Sequence, residues 1–176
     1  MSLVKTISDK YNGIYSSEPL TKAHTPFGLF TNQRERATFK INNSNFSIYI
    51  NTSNNSVEPF RINLILSSPT NKRIDIYPKA TQNKIWNIFF GRFTINIPPV
   101  LNEQFVFKGN KKWLTQLLDS QIFRDSILNK RLYINKNSVK YITVTPENGI
   151  QTIEEFENIA GILIEIDKAH KQLTLK

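Results

Sequence analysis

The turn between a strand-like and a helix-like segment carries the residues with the clearest potential for chemistry. Residues 105–121 read FVFKGNKKWLTQLLDSQ, so Lys111 and Lys112 lie where the helical pattern begins. Backbone amides and lysines in this position can bind a phosphate group. A nucleotide-binding loop of the type GxxxxGK[ST] needs two glycines and a hydroxyl after the lysine, whereas this turn has one glycine and Trp113. The pattern therefore predicts a strand-to-helix connection in which Asn110 caps the helix.

Few side chains in the sequence are suited to binding a metal ion or a cofactor. The chain has no cysteine, and its two histidines, His24 and His170, lie far apart without an HxH or HExxH pattern. His170 lies among lysines at the end of a helical pattern, where a cation interacts favourably with the helix dipole. We therefore expect no metal, no cofactor and no cysteine nucleophile.

Acid–base catalysis would require two carboxylates that folding brings together. The acids that stand singly beside basic or turn residues are Glu35, Glu58, Asp75, Glu103 and Asp119. An isolated acid is usually a surface charge or a helix cap, and a catalytic carboxylate needs a specific charge partner in a cleft. We therefore expect a protein that is not an enzyme; an enzyme with a dispersed carboxylate site is the weakest of three hypotheses.

The chain is strongly basic, with 23 Lys and Arg residues against 14 Asp and Glu residues and a formal net charge of +9. The charge is spread along the whole chain, and the abundance of Asn, Lys and Ile is typical of AT-rich coding sequences. A functional basic surface would bind nucleic acid or anionic lipid headgroups electrostatically. The residues assigned to such a contact are Lys72, Arg73, Lys79, Lys84, Arg92, Lys108, Lys111 and Lys112.

Aromatic residues are interleaved with basic ones in two segments, IWNIFFGRF at 85–93 and RLYINKNSVKYITV at 131–144. Single-stranded nucleic acids stack on aromatic side chains of a sheet face, with cations beside them. Neither segment contains the aromatic-rich signature of an RNA recognition motif. Tyr133 and Tyr141 are accordingly interpreted as core or cross-strand packing residues.

Apolar periodicity predicts an α+β fold with a mostly antiparallel β-sheet, an N-terminal helix and two longer helices in the second half packed on the sheet. We expect one domain, 1–176, with three parts: a helix and an irregular wrap at 1–36, a strand-rich half at 37–100, and a strand–helix–hairpin–helix half at 101–176. Four sequential strands between 37 and 77 predict a meander. A short helix is predicted at 84–90 and a strand at 93–97.

The two longer helices have recognisable starts. The apolar stripe expected after the Asn110 cap consists of Leu114, Leu117, Leu118 and Ile122. Thr152 and Glu155 have the spacing of a capping box and mark the start of the last helix. Between the two helices, the pattern at 132–144 predicts a β-hairpin with its turn at 135–138.

The order of segments along the chain also resembles a known arrangement. The segments that carry the resemblance are LVKTISDKYNG, TPFGLF, IWNIFFGRFTINI, EQFVFKGNKKWLTQLLDSQIFRDSI, RLYINKNSVKYITV and the closing acidic helix. This order is similar to that of a family of uncharacterised bacterial proteins, whose cytosolic α+β domain often follows transmembrane helices near the N-terminus. The chain departs from that pattern in having Asn110, Lys111 and Lys112 where an acidic residue is usual, and in lacking the transmembrane helices. The resemblance implies no activity and no catalytic residue.

The first functional expectation is therefore a non-enzymatic cytoplasmic domain that acts through contacts with a protein partner. In a longer protein with membrane helices, the resemblance would place this domain at the cytoplasmic face of the membrane. The sequence itself contains no run of 18 apolar residues and no signal-peptide pattern at its start. Binding of nucleic acid or an anionic membrane surface is the alternative.

Overall fold

One large antiparallel sheet and the helices that pack on one of its faces make up the fold. The computed structural model describes residues 2–26, 28–53, 60–79, 96–136 and 138–174. These residues form a nine-stranded sheet, an N-terminal helix and a set of C-terminal helices packed on the sheet. The predicted α+β architecture is confirmed. Within the described ranges, no helix has the length and apolar composition that crossing a membrane requires.

In the described ranges, the first half of the chain has one helix and five strands, and the second half mixes four strands with four helices. The first half comprises α1 (Leu3–Lys10), β1 (Ile14–Ser17), β2 (Thr21–Thr25), β3 (Gly28–Ile41), β4 (Ser44–Ser53) and β5 (Arg61–Ile65). The second half comprises β6 (Ile74–Pro78), α2 (Pro99–Gln104), β7 (Phe105–Gly109), α3 (Lys111–Asp119), α4 (Gln121–Ile127), β8 (Leu132–Asn135), β9 (Tyr141–Pro146) and α5 (Ile153–Thr174).

The strand order in the sheet is β1-β3-β4-β5-β9-β8-β6-β7, and β2 pairs with β3 as well. Of the four strands in the predicted meander, β3, β4 and β5 lie side by side, whereas β9 and β8 lie between β5 and β6. The prediction of a four-strand meander is therefore wrong at its last strand. Alternating apolar residues indicate which face of a strand is buried, but they do not indicate which strand lies beside it.

Residues 16–36, expected to be an irregular wrap, contain regular strands instead. The long strand β3 pairs with β4 along its whole second part, with β1 at residues 35–38 and with β2 at residues 28–32. The apolar residues of this region are few and do not alternate with polar ones along a strand length, so the region lacks the pattern by which a strand is recognised. Its strand structure comes from hydrogen bonding to β3 and not from a buried apolar face.

The core lies between the sheet and the helices. The Phe39 ring on β3 meets the Phe156 ring of α5 edge to face, with 5.6 Å between their centroids. On β4, Ser44 Oγ donates a hydrogen bond of 2.5 Å to Asp167 Oδ2 of the same helix. Tyr11, at the end of α1, stacks on Phe39 with 5.6 Å between the ring centroids. These contacts place α1 and α5 on the face of the sheet that carries Phe39.

Helix caps explain where the helices begin and end. Asn110 Oδ1 accepts a 3.1 Å hydrogen bond from the Trp113 amide, which confirms the predicted cap of α3. Ser120 then has an extended backbone, ends α3 and caps α4 through a 3.2 Å bond from the Phe123 amide. This break resets the helical phase, so Ile122 is 63% exposed while Phe123 is buried. The predicted apolar stripe is right for its three leucines and wrong for Ile122.

The last helix begins as its sequence predicts. Thr152 Oγ1 accepts a 3.1 Å hydrogen bond from the Glu155 amide, and Glu155 Oε2 accepts a 3.3 Å bond from the Thr152 amide. The capping box is confirmed, and so is the hairpin formed by β8 and β9. The short helix predicted at 84–90 lies outside the described residues, and the strand predicted at 93–97 falls largely outside them.

The open face of the sheet as candidate binding site

The face of the sheet opposite Phe39 carries side chains that are partly exposed. Side chains alternate between the two faces of a strand. On β4, Phe46 and Ile48 are buried towards the helices, whereas Ser47 and Tyr49 point the other way and are half-buried. The same alternation holds on β3, β5, β9 and β8. This surface is called the open face below.

A row of polar side chains crosses the open face from β3 to β7. Strand register aligns, in this order, Thr38, Ser47, Asn63, Thr143, Asn135, Asp75 and Lys108. Asn63 Nδ2 donates to Ser47 Oγ at 3.2 Å, and Thr143 Oγ1 donates to Asn63 Oδ1 at 2.7 Å. These bonds fix the orientation of the Asn63 amide in the middle of the row. The aligned residues are called the polar row.

Basic and aromatic side chains lie beside the polar row. Arg36 on β3, Tyr49 on β4 and Arg61 on β5 are opposite one another in register, so a tyrosine lies between two arginines. Tyr133 on β8 and Tyr141 on β9 are each 42% exposed on the same face. They are therefore not core residues, because no helix packs on this side of the strands to bury them. Their cross-strand packing, with Tyr133 opposite Thr145 and Tyr141 opposite Ile65, stays a prediction.

A groove of about 680 Å³ runs over this part of the open face. Its lining includes Arg36, Arg61, Tyr49 and Tyr141 together with members of the polar row. The described lining residues contain two cations and no carboxylate. The groove therefore combines positive charge, aromatic rings and hydrogen-bonding groups, all carried by strands of the β-sheet.

A second pocket, of about 690 Å³, adjoins the groove at Ser138, which lines both. The pocket is also lined by Asn71, Arg73, Asp75, Lys136 and Val139. Lys136 is only 9% exposed, and its ammonium donates to the carbonyl oxygen of Thr70. Burial lowers the pKa of Lys136, and the nearby positive charge of Arg73 lowers it further. This cavity is called the Lys136 pocket below.

The basic residues that the sequence nominated fall into two places. Five of them lie around one end of the β6–β7 pair. There the Asn110 amide donates a 2.8 Å hydrogen bond to the carbonyl of Arg73, which brings the start of α3 beside the start of β6. The five residues are Lys72, Arg73, Lys108, Lys111 and Lys112. Lys79 lies at the other end of β6 and bonds to the carbonyl of Asn102. Lys84 and Arg92 lie outside the described residues.

The nominated set therefore overlaps the candidate site only in part. Lys108 is on the open face, with its ammonium 5.3 Å from the Tyr77 ring centroid, and Arg73 lines the Lys136 pocket. Lys111 and Lys112 are exposed in the first turn of α3. Their assignment to an anion contact stays a prediction.

Sequence reasoning missed Arg36, Arg61 and the members of the polar row other than Asp75 and Lys108. A local signal for them exists, since Arg36 and Thr38 alternate with buried Ala37 and Phe39 in RATF. The alternation identifies these side chains as pointing away from the core. It does not reveal that β3, β5 and β9 bring them to one surface. Lys136 was missed because a lysine beside a hairpin turn is normally solvated.

His170, expected as a cation at the end of the last helix, is fully buried. Its ring packs against the Trp113 ring with 5.0 Å between centroids. Burial lowers the pKa of His170, and the charges of Lys72, Lys136 and Lys171 lower it further while Asp167 opposes them. The imidazole is a core group, so the expectation of a cation that interacts with the helix dipole is wrong. His24 lies on β2, outside both cavities.

The single acids are distributed over different elements. Glu35 on β3 accepts a 2.7 Å hydrogen bond from the Tyr15 hydroxyl. Asp75 belongs to the polar row on β6, Glu103 lies in α2, Asp119 ends α3, and Glu58 lies outside the described residues. Within the described ranges, no group of three or more His, Asp or Glu side chains could hold a metal ion.

Comparison of this chain with protein-family models, with curated proteins and with solved structures finds no match. The resemblance to the family of bacterial proteins therefore stays a prediction, and the open face is the feature of the molecule that bears on its function.

Proposed function

We propose that this protein is a non-enzymatic binding domain that holds single-stranded nucleic acid on the open face of its sheet. The observation that carries the proposal is the alignment of Arg36, Tyr49 and Arg61 across three adjacent strands beside the polar row. Bases of a single strand stack on aromatic rings of a sheet, and cations beside the rings pair with the phosphates. The amides and hydroxyls of the polar row supply donors and acceptors for base edges.

The spacing of the two arginines suits a backbone that passes on both sides of Tyr49. Neighbouring strands lie about 4.8 Å apart, so the backbones of β3 and β5 are about 10 Å apart. Arginine side chains are long and bind phosphate through a planar fork of donors. Each guanidinium can therefore reach one phosphate while the base between them lies on the tyrosine ring.

The charge distribution supports the same ligand. The described lining of the groove has two arginines without a carboxylate, and the whole chain carries a formal net charge of +9. Protein groups that neutralise phosphates release counterions, and this release drives binding. Contact with a protein partner, the first expectation from the sequence, has no observation of comparable specificity in its favour.

Fluorescence anisotropy with labelled oligothymidylate and oligouridylate tests the proposal. We expect a complex whose affinity falls as the salt concentration rises, with a log–log slope of about −0.7 for each phosphate contacted. The double variant Arg36→Gln/Arg61→Gln should weaken binding at least about tenfold, since each hydrogen bond to a charged group contributes about 1.5–3 kcal/mol. Tyr141→Thr should weaken binding separately, because stacking on an aromatic ring contributes about 1–3 kcal/mol per base.

The matched control is Lys22→Gln/Lys168→Gln, which removes the same amount of charge away from the groove. Lys22 is exposed on β2, and Lys168 is 60% exposed on α5 in an ion pair with Glu165. The control should bind as the unchanged protein does. Equal weakening of both double variants, or no salt-sensitive complex at all, would contradict the proposal. Binding to vesicles of anionic phospholipid in place of oligonucleotide would replace it with the lipid-headgroup alternative.

A further inference from the structure

We propose that the Lys136 pocket is a binding site for a phosphate monoester group. The source of this phosphate group rests on the proposed function. If that function holds, the group is the terminal phosphate of a nucleic-acid strand bound in the adjoining groove. The two cavities adjoin at Ser138, which lines both.

Lys136 is a buried cation that lines the pocket. Its side chain is more than nine-tenths buried, and its backbone amide is held by the Ile74 carbonyl at 3.1 Å. The ammonium has three donors, of which one is directed at the Thr70 carbonyl. In the described part of the chain, no carboxylate lies within ion-pair distance of it. A buried cation without a counter-ion is costly, so an anion in the pocket would stabilise the structure.

Arg73 and Ser138 line the pocket together with Lys136 and add further hydrogen-bond donors. Arg73 is exposed and lines the same pocket, which adds a guanidinium suited to phosphate oxygens. Ser138 Oγ accepts from the amides of Lys140 and Tyr141 at 3.1 and 3.0 Å. Because these amides occupy acceptor positions of the oxygen, the hydroxyl proton is left to donate to a ligand.

Asp75 is the carboxylate in the lining, and it determines which anion the pocket prefers. It lies opposite Lys108 on β7, so a cation on the neighbouring strand offsets its charge. A phosphate monoester loses its second proton near pH 6, so close to that pH a large share of it retains a proton that it can donate to Asp75. Sulfate has no such proton and would meet only repulsion from the carboxylate. The pocket should therefore bind phosphate in preference to sulfate.

Titration calorimetry of the whole protein with inorganic phosphate and with sulfate, at matched ionic strength near pH 6, tests the pocket itself. We expect saturable binding of phosphate and at least about tenfold weaker binding of sulfate, which corresponds to 1.4 kcal/mol. Arg73→Gln, at an exposed position, and Lys136→Met, which keeps most of the buried volume, should each abolish phosphate binding. Lys22→Gln is the control and should leave it unchanged. Absence of phosphate binding, or equal binding to Arg73→Gln, would overturn the proposal.

Oligonucleotides with and without a terminal phosphate distinguish this proposal from the proposed function. We expect the strand with a terminal phosphate to bind about tenfold more tightly than its hydroxyl counterpart, and Arg73→Gln to remove only this difference. If phosphate binds but no oligonucleotide does, the pocket is confirmed with free phosphate as its source, and the proposed function fails. If both oligonucleotides bind equally and phosphate alone does not bind, the pocket assignment fails while the proposed function holds.

Discussion

At the scale of single residues, Gly109 lies at the end of β7, where its backbone comes very close to the backbone of Arg73. Its φ is 128°, and a Cβ atom added there would lie 2.2 Å from the carbonyl oxygen of Arg73. That carbonyl also accepts the Asn110 amide that leads into α3. A side chain at Gly109 would therefore separate β7 from β6 at the point where the basic residues gather.

We expect Gly109→Ala to lower the free energy of unfolding by clearly more than the roughly 1–2 kcal/mol typical of a strained backbone conformation. Gly149→Ala is the matched control, because Gly149 also has a positive φ, 70°, but a Cβ there would have nothing within 4 Å. Urea unfolding followed by circular dichroism measures both changes. Equal losses in the two variants would show that the close approach to Arg73 adds nothing.

The contact between α1 and α5 gives a second prediction at this scale. The Tyr11 hydroxyl donates a 2.5 Å hydrogen bond to Glu157 Oε1, and the Lys10 ammonium lies 2.6 Å from the same oxygen. Burial raises the pKa of Tyr11 to about 12, with further contributions from the hydrogen bond and the negative charge of Glu157.

Because the pKa of Tyr11 in the folded protein lies above its ordinary value of 10.0, the phenol ionises in the unfolded chain first. The stability that Tyr11 contributes is fully present below pH 10 and is lost as the pH rises to about 12. We expect the free energy of unfolding of the unchanged protein to fall more steeply across this interval than that of Tyr11→Phe. Parallel curves from urea titrations at several pH values would contradict this assignment.

At the scale of elements, local patterns predicted the helix caps and the strands with an alternating apolar face, but not the strands at 16–36 or the order of strands in the sheet. The Asn110 cap and the Thr152 capping box depend on residues three positions apart, and both are confirmed. The break at Ser120 was missed because the apolar residues on either side continue the helical spacing in sequence. The position of β9 beside β5 was missed because strand pairing depends on residues far apart in the chain.

The polar row gives a prediction at this scale. Asn63→Ala removes both side-chain hydrogen bonds that join β4, β5 and β9 on the open face. We expect a loss of about 1–3 kcal/mol in the free energy of unfolding, since each of the two bonds contributes about 0.5–1.5 kcal/mol net. Thr145→Ala is the control, because Thr145 lies on the same face of β9 without a side-chain hydrogen bond to any described residue. A loss as large in the control would show that the bonds to Asn63 are not stabilising.

At the scale of the whole molecule, the candidate site exists only in the folded sheet. Asn63 and Thr143 are 80 positions apart in the chain, and a hydrogen bond joins their side chains. The sequence could predict that Arg36, Arg61 and Tyr141 face away from a core, since each alternates with buried residues. It could not predict that they share a groove, because the register between strands is set by tertiary packing.

The basic surface predicted from net charge is therefore refined by the fold. The nominated lysines and arginines that are described lie around the ends of β6 and β7, whereas the groove is lined by Arg36 and Arg61, which are not among the nominated residues. Positive charge alone supports steering of an anionic ligand towards the protein. The position of aromatic rings between cations adds the chemistry that distinguishes a nucleic-acid strand from other anions.

A titration of isotope-labelled protein with a short oligothymidylate, followed through backbone amide chemical shifts, tests binding at the open face most directly. We expect the largest shift changes on β3, β4, β5 and β9, around Arg36, Tyr49, Arg61 and Thr143, and small changes on α3 and α5. Shift changes concentrated on the helices, or no changes at any accessible concentration of oligonucleotide, would contradict a binding site on the open face.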